Sequence, residues 1–275
     1  QRYGNHTSKY VILTAYERWR DDRDSAGTVA IRPYSKKTGR PIIGSRQSRR
    51  LVQDLGTPFF SKSCRLISRI PPTDLVISRC LAALLRALLE DEYPDAAGGG
   101  PVLSPRCFAY RTTKTGHQAI DELDRAVARD GLVWVARTDV RSYFDRIRHD
   151  TVGHQIQDLF QRLGCPDEKV ARWIRNLISA PKELRWKTLT TQDGETKRVD
   201  IIPTAPAGLF RDGIGIPQGS PLSAPLSNLY LAQVDHDMDR AGEREQFRYL
   251  RYADDMCICA ATRAGAERGL DLLRR

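Results

Sequence analysis

The sequence predicts an α+β fold, helices packed on an antiparallel sheet, and three observations carry that prediction. Segments with helical apolar spacing alternate with short β-type runs in the order helix, strand, helix, hairpin, helix, hairpin. Two β-prone runs, Phe247–Ala253 and Met256–Ala260, meet at the pair Asp254-Asp255. Of the 275 residues, 40% are hydrophobic and 28% charged, which describes a folded chain long enough for a subdivided core.

Along the chain, 18–50 is polar and rich in Arg, Lys, Gly and Ser, and reads as extended or mobile. Its clusters Lys36/Lys37 and Arg46/Arg49/Arg50 suit either a solvated loop or a nucleic-acid contact. A basic β-type run follows over Lys62–Ile70, closed by Pro71-Pro72. Leu75, Val76, Leu81, Leu84, Leu85, Leu88 and Leu89 fall at helical spacing, with Thr73 or Asp74 as the cap. A glycine joint spans Ala97–Pro101, and His117–Arg129 reads as a helix. The apolar run Leu132–Ala136 predicts a buried strand delivering Asp139, with a helix over Phe144–Phe160 behind it. Alternation around Asp193-Gly194 signals a hairpin between Leu184 and Ile202, and Ser223–Met238 reads as a helix.

The 44 Lys and Arg outweigh 34 Asp and Glu, a net charge of +10 that points towards a polyanion. No apolar stretch reaches the ~18–20 residues of a membrane helix, because Arg79 and Arg86 interrupt the greasiest one. A polar start, Gln1–Tyr10, argues against a secretory leader. Six cysteines without a C-x-x-C pair or zinc spacing read as reduced thiols of a cytoplasmic chain, Cys257 and Cys259 sharing one strand face.

The chemistry concentrates in three strings. In Tyr252-Ala253-Asp254-Asp255 two adjacent carboxylates sit at a hairpin tip, where their repulsion calls for a cation. Hard divalent ions take carboxylate oxygen. Asp139 ends the string from Val135, and pairing of its strand with the hairpin would give three carboxylates for two ions ~3.5–4 Å apart, the arrangement that serves in-line attack on phosphate. Between them lies Gly215–Tyr230, where glycine and proline shape a loop ahead of a helix and Gln218 offers both donor and acceptor.

Together, in this order, the strings resemble motifs A (Asp139–Phe144), B (Ile216–Tyr230) and C (Tyr252–Asp255) of reverse transcriptases. Phe108–Ile120 and Arg65–Pro71 are similar to upstream segments of bacterial group II intron-like members. The resemblance covers about residues 55–262 and departs at Ala224, where Pro commonly follows the motif B serine. It implies a right-hand polymerase, with fingers over 1–105 (1–50 an N-terminal extension) and 151–214, and palm over 106–150 and 215–275. Because the sequence ends at Arg275, it also implies a truncated or absent thumb, or one supplied by another chain. Asp139, Asp254 and Asp255 would be catalytic and, with the Val140 carbonyl, would hold two Mg²⁺, Mn²⁺ being a substitute. Phe144 would lie under the sugar and select dNTPs, with Tyr143 beside it in the core. Gln218 and Gly219 would line the nucleotide pocket, Arg65 and Lys62 grip the triphosphate, and Tyr252 pack near the primer end.

The implied function is RNA-directed DNA synthesis on an RNA template from a DNA or RNA primer, in antiphage defence or another domesticated role. A noncoding RNA or a second copy are further implied partners, and a membrane is not one. Two alternatives remain: template-independent or protein-primed synthesis, and an inactive nucleic-acid-binding scaffold.

Overall fold

The computed structural model describes residues 15, 17–19, 21, 26–27, 29–35, 64–90, 101–164, 166–180, 182–184, 186–192, 195–201 and 212–274. Its elements, in order, are β1 (Val29–Ser35), β2 (Cys64–Arg69), α1 (Pro72–Leu89), α2 (Gly116–Asp124), a π-helical turn (Arg125–Arg129) and β3 (Trp134–Asp139). Then come α3 (Tyr143–Arg146), α4 (His149–Arg162), α5 (Glu168–Ile178), β4 (Lys182–Leu184), β5 (Trp186–Gln192) and β6 (Glu195–Ile201). The chain closes with α6 (Ser223–Glu245), β7 (Phe247–Tyr252), β8 (Asp255–Ala260) and α7 (Arg263–Arg274). The fold is α+β, as the sequence predicts. It divides into two compact units, Gln1–Cys80 with Arg172–Ser223, and Leu81–Ala171 with Ala224–Arg275.

In the first unit β2, β1 and β4 form a sheet in that order, β1 antiparallel to β2 and parallel to β4. Strand β1 sharpens the reading of 18–50 as extended or mobile: Val29–Ser35 is extended and paired with β2, although its own apolar pattern is weak. Asp74 does not cap α1. Buried in the first turn, its carboxylate accepts from the Gly27 N–H at 2.7 Å and pairs with Arg18, whose guanidinium lies 5.5 Å from the Trp173 ring centre. Strands β5 and β6 pair from Gln192↔Glu195 outward, the expected hairpin.

The second unit is built on the antiparallel sheet β3-β8-β7. Side chains alternate between its faces. Met256, Ile258 and Ala260 of β8 share one face, and Ile258 and Ala260 pack on α7, where a Cβ on Gly269 would meet Ile258 Cγ2 at 2.8 Å. Phe247 packs similarly against Gly242 of α6, where a Cβ would stand 2.5 Å from the Phe247 carbonyl oxygen. Gly242→Ala is therefore expected to lower stability by about 1–3 kcal/mol, the usual cost of overpacking, read as a drop in the urea midpoint. On the opposite face Cys259, Leu250, Phe108 and Ala126 form a small core with Leu123 and Cys257 at its margin.

Two expectations change here. The run Leu132–Ala136 is not a buried strand: β3 begins at Trp134 and lies at the sheet edge, with Val133 61%, Trp134 46% and Val135 47% exposed. An apolar run reports β-propensity, not which neighbour covers it. The helix over Phe144–Phe160 is two helices, because Ile147 leaves α3 with extended backbone (φ −63°, ψ 124°) and α4 restarts at His149. Helix α2 starts one residue before His117, on a capping box between Thr115 and Gln118.

Candidate active site

Strand β8 is central in its sheet and carries the site. Register pairs Asp255 with Asp139 of β3 on one side and with Tyr252 of β7 on the other, so these three residues form a row across one face. Directly opposed residues of an antiparallel pair hold their Cβ atoms about 4.5–5.5 Å apart, close enough for two carboxylates to repel. One row further along the same face stands Arg137. Its Nη2 and Nε donate to Asp255 Oδ1 at 2.7 and 3.1 Å, and this hydrogen-bonded charge raises the guanidinium pKa further.

Asp254 sits in the two-residue turn joining β7 to β8. The Val140 N–H donates to the Asp254 carbonyl at 3.2 Å, tying the end of β3 to that turn. Ala253 has a positive φ (59°), an angle that favours glycine, while Asp254 is not among the positive-φ residues. Tyr252 is half-exposed and its ring lies beside Gly116 at the start of α2. Past Val140, Ser142 turns left-handed (φ 52°) and starts α3, which presents a half-buried Phe144. Tyr143 is core, as expected, donating its hydroxyl to the Ser227 carbonyl at 2.6 Å; burial pushes its pKa far up.

The structure thus brings Asp139, Val140, Asp254, Asp255 and Tyr252 together at one end of one sheet. All the acidic donors are oxygen, which suits a hard divalent cation. Among the described residues, no three acidic, histidine or cysteine side chains stand close enough to enclose an ion, and Asp255 is engaged by the Arg137 fork. That pair is exposed on both sides and contributes little to stability.

Gln218 and Gly219 belong to the first unit. The Gln218 carbonyl accepts from the Ser68 N–H of β2 at 2.7 Å, and Gly219 follows with φ 101°. A Cβ there would lie 3.1 Å from the Ser68 carbonyl oxygen, so close approach and backbone angle both demand glycine. Ser223 Oγ donates to the Pro217 carbonyl at 2.6 Å and closes the loop at the start of α6. The loop therefore docks on the strand that carries Arg65, register partner of Tyr34. The Arg65 side chain and all of Lys62 lie outside the described residues.

Sequence reasoning missed a buried polar cluster behind the turn. Arg251 and Asp235 are fully buried and paired through two hydrogen bonds, Nε to Oδ1 at 2.7 Å and Nη2 to Oδ2 at 2.6 Å. Burial opposes the guanidinium charge, but Asp235 outweighs it and holds the Arg251 pKa above its ordinary value. Tyr249 donates to Asp235 at 2.9 Å, and burial with that charge pushes its pKa far up. Burial likewise takes the Cys107 thiol up to about 11. The signal was present: Phe247, Tyr249 and Arg251 share the buried face of β7, where an arginine at period two stands out.

Facing carboxylates on paired strands, with a third in the adjoining turn, form the donor set that phosphoryl-transfer sites use with divalent ions. The chain matches the family described as reverse transcriptase (RNA-dependent DNA polymerase) over residues 58–275 and belongs to that family. Among solved structures, telomerase from Candida tropicalis in complex with a TWJ fragment of telomeric RNA is similar at TM-score 0.48 and 12% identity, covering 94% of this chain and 41% of that one. A partial Cas6-RT-Cas1–Cas2 complex is similar at TM-score 0.41 and 19% identity, covering 95% and 34%. The chain spans less than half the length of either neighbour chain. Curated proteins include no match. No helix among the described residues is long and apolar enough to cross a membrane.

Proposed function

We propose that the chain is the fingers and palm portion of an RNA-directed DNA polymerase that extends a primer 3′-hydroxyl with dNTPs. The carrying observation is the register that sets Asp139 opposite Asp255, with Asp254 held beside them by Val140. The palm role goes to 106–150 and 215–275, which supply every strand of the sheet β3-β8-β7, and the fingers role to 1–105 and 151–214.

Asp139, Asp254 and Asp255, with the Val140 carbonyl, would hold two Mg²⁺, or Mn²⁺ in their place. When bound, such ions lower the pKa of an attacking hydroxyl and stabilise a pyrophosphate leaving group. The protein's own residues bind and orient. Phe144 places a ring under the sugar, Tyr252 offers an exposed aromatic face to the primer end, and the Gln218-Gly219 backbone fits a nucleotide pocket. Arg65 and Lys62 supply cations for the triphosphate. RNA template, DNA or RNA primer and dNTPs are the proposed partners. The proposed setting, antiphage defence or another domesticated role, rests on the N-terminal region, which lies before the segment that resembles the intron-like members.

Labelled dNTP incorporation with Mg²⁺, with and without a primed RNA template, tests the reading. The expected result is product that depends on template and primer. Label retained on denatured protein, or equal incorporation without template, would replace it with the protein-primed or template-independent alternative. RNA binding with no incorporation would leave a scaffold. Phe144→Ala is expected to relax sugar selection, raising ribonucleotide use by roughly tenfold or more, as removal of a steric contact does. Competition between dGTP and GTP on one template measures it.

A further inference from the structure

The guanidinium of Arg251 has five N–H donors, and the fold places all five. Besides the two on Asp235, Nη2 donates to Cys107 Sγ at 3.1 Å, and Nη1 donates to Asn228 Oδ1 at 3.1 Å and to the Ala253 carbonyl at 3.0 Å. Four of these contacts fix the arginine to the core. Asn228 and Asp235 lie on α6, and Cys107 on the segment flanking β7, whose backbone also brackets Arg251: Arg251 N–H to the Arg106 carbonyl and Phe108 N–H to the Arg251 carbonyl, both at 3.0 Å. The fifth contact, also buried, goes to Ala253, the one residue of the acidic turn with a positive φ. A non-glycine residue held left-handed costs about 1–3 kcal/mol and persists only where its surroundings over-determine it. Here the over-determining group is a cation immobilised on four other acceptors.

We propose that Arg251 is a positioning residue for the reaction: through the Ala253 carbonyl it holds the turn in the conformation that presents Asp254 and Asp255 beside Asp139. The proposal rests on the reading of these aspartates as the metal-binding set. Its mechanical content, that Arg251 fixes the turn, does not depend on that reading.

The test compares the wild type with Arg251→Lys, which keeps the charge against Asp235 but has three donors in place of five. Hydrogen exchange at Val140, whose N–H is bonded to Asp254, reports the turn directly. It should quicken by about tenfold or more while the amides of Leu250 and Ile258 stay protected. Mn²⁺ affinity, followed by electron paramagnetic resonance, should fall about 10–100-fold, the usual effect of losing an outer-shell partner. Turnover should fall with it at little change in dNTP KM.

Adding Ala253→Gly should recover part of the Mn²⁺ affinity, because glycine accepts the left-handed angle without support. A purely structural arginine would not be rescued that way. If Arg251→Lys fails to fold, Asn228→Ala, which leaves the ion pair intact but frees Nη1, takes its place with the same expected directions. Unchanged Val140 exchange and Mn²⁺ affinity in a folded variant, or no rescue by glycine, overturns the proposal. Faster Val140 exchange in a chain whose wild type neither binds Mn²⁺ nor incorporates dNTPs would uphold the mechanical role and sink the polymerase reading instead.

Discussion

Asp254→Asn and Asp139→Asn are each expected to reduce Mg²⁺-dependent dNTP incorporation to background while the protein stays folded. The physical reason for the loss is that an amide keeps the shape of a carboxylate and gives up the charge a divalent ion needs. The reason for the retained fold is sharper for Asp139, which is exposed and faces Asp255 across the strand pair. Removing one of two opposed like charges relieves repulsion, so Asp139→Asn should melt at or slightly above the wild-type temperature. Incorporation assays paired with thermal melts check both halves. Full activity in either variant removes that aspartate from the site.

The second large effect is on stability. Asp235→Ala leaves the Arg251 cation and the Tyr249 hydroxyl buried without their main acceptor, and breaking a buried pair from one side costs about 3–5 kcal/mol. That is a large part of the ~5–15 kcal/mol that holds a typical domain together. Urea unfolding should show it plainly. Replacing both partners, Asp235→Leu with Arg251→Met, should recover much of the loss, since apolar pairs of similar volume often match a buried ion pair. If Arg251 also holds the turn, the double variant will be stable and yet poor at binding Mn²⁺. A double variant as unstable as Asp235→Ala alone would show that the pair contributes more than charge neutralisation.

The elements that carry chemistry were legible because local signals and tertiary structure agree there. Alternating runs on either side of Asp254-Asp255 can close only as a hairpin, and β7 and β8 do. Tyr143 reads as core and is buried. Where the reading failed, a long-range neighbour decided the outcome. Val133, Trp134 and Val135 look like core because they are apolar, but only pairing order tells that β3 is an edge. The partners of β1, with β2 on one side and β4 on the other, are likewise set by segments distant in sequence. Asp74 looks like a cap and is instead consumed by Gly27 and Arg18, 47 and 56 residues away in sequence. Arg137 and Arg251 carry little sequence signal for one reason: a basic residue in a basic chain reads as surface, and geometry alone shows one clasping Asp255 and the other sealed in the core.

The alternation of β8 has a consequence for how such a chain can change over time. Asp255 and Cys257 share the face of Asp139 and Arg137, while Ile258 lies on the other face against Gly269 of α7. Inserting or deleting a single residue in β8 would exchange the two faces, turning an aspartate inward and an isoleucine outward. Substitutions can drift through this strand, but length changes cannot. Lineages descended from such a sequence should vary freely in the length of their loops and hold the distance from Asp255 to Ala260 fixed.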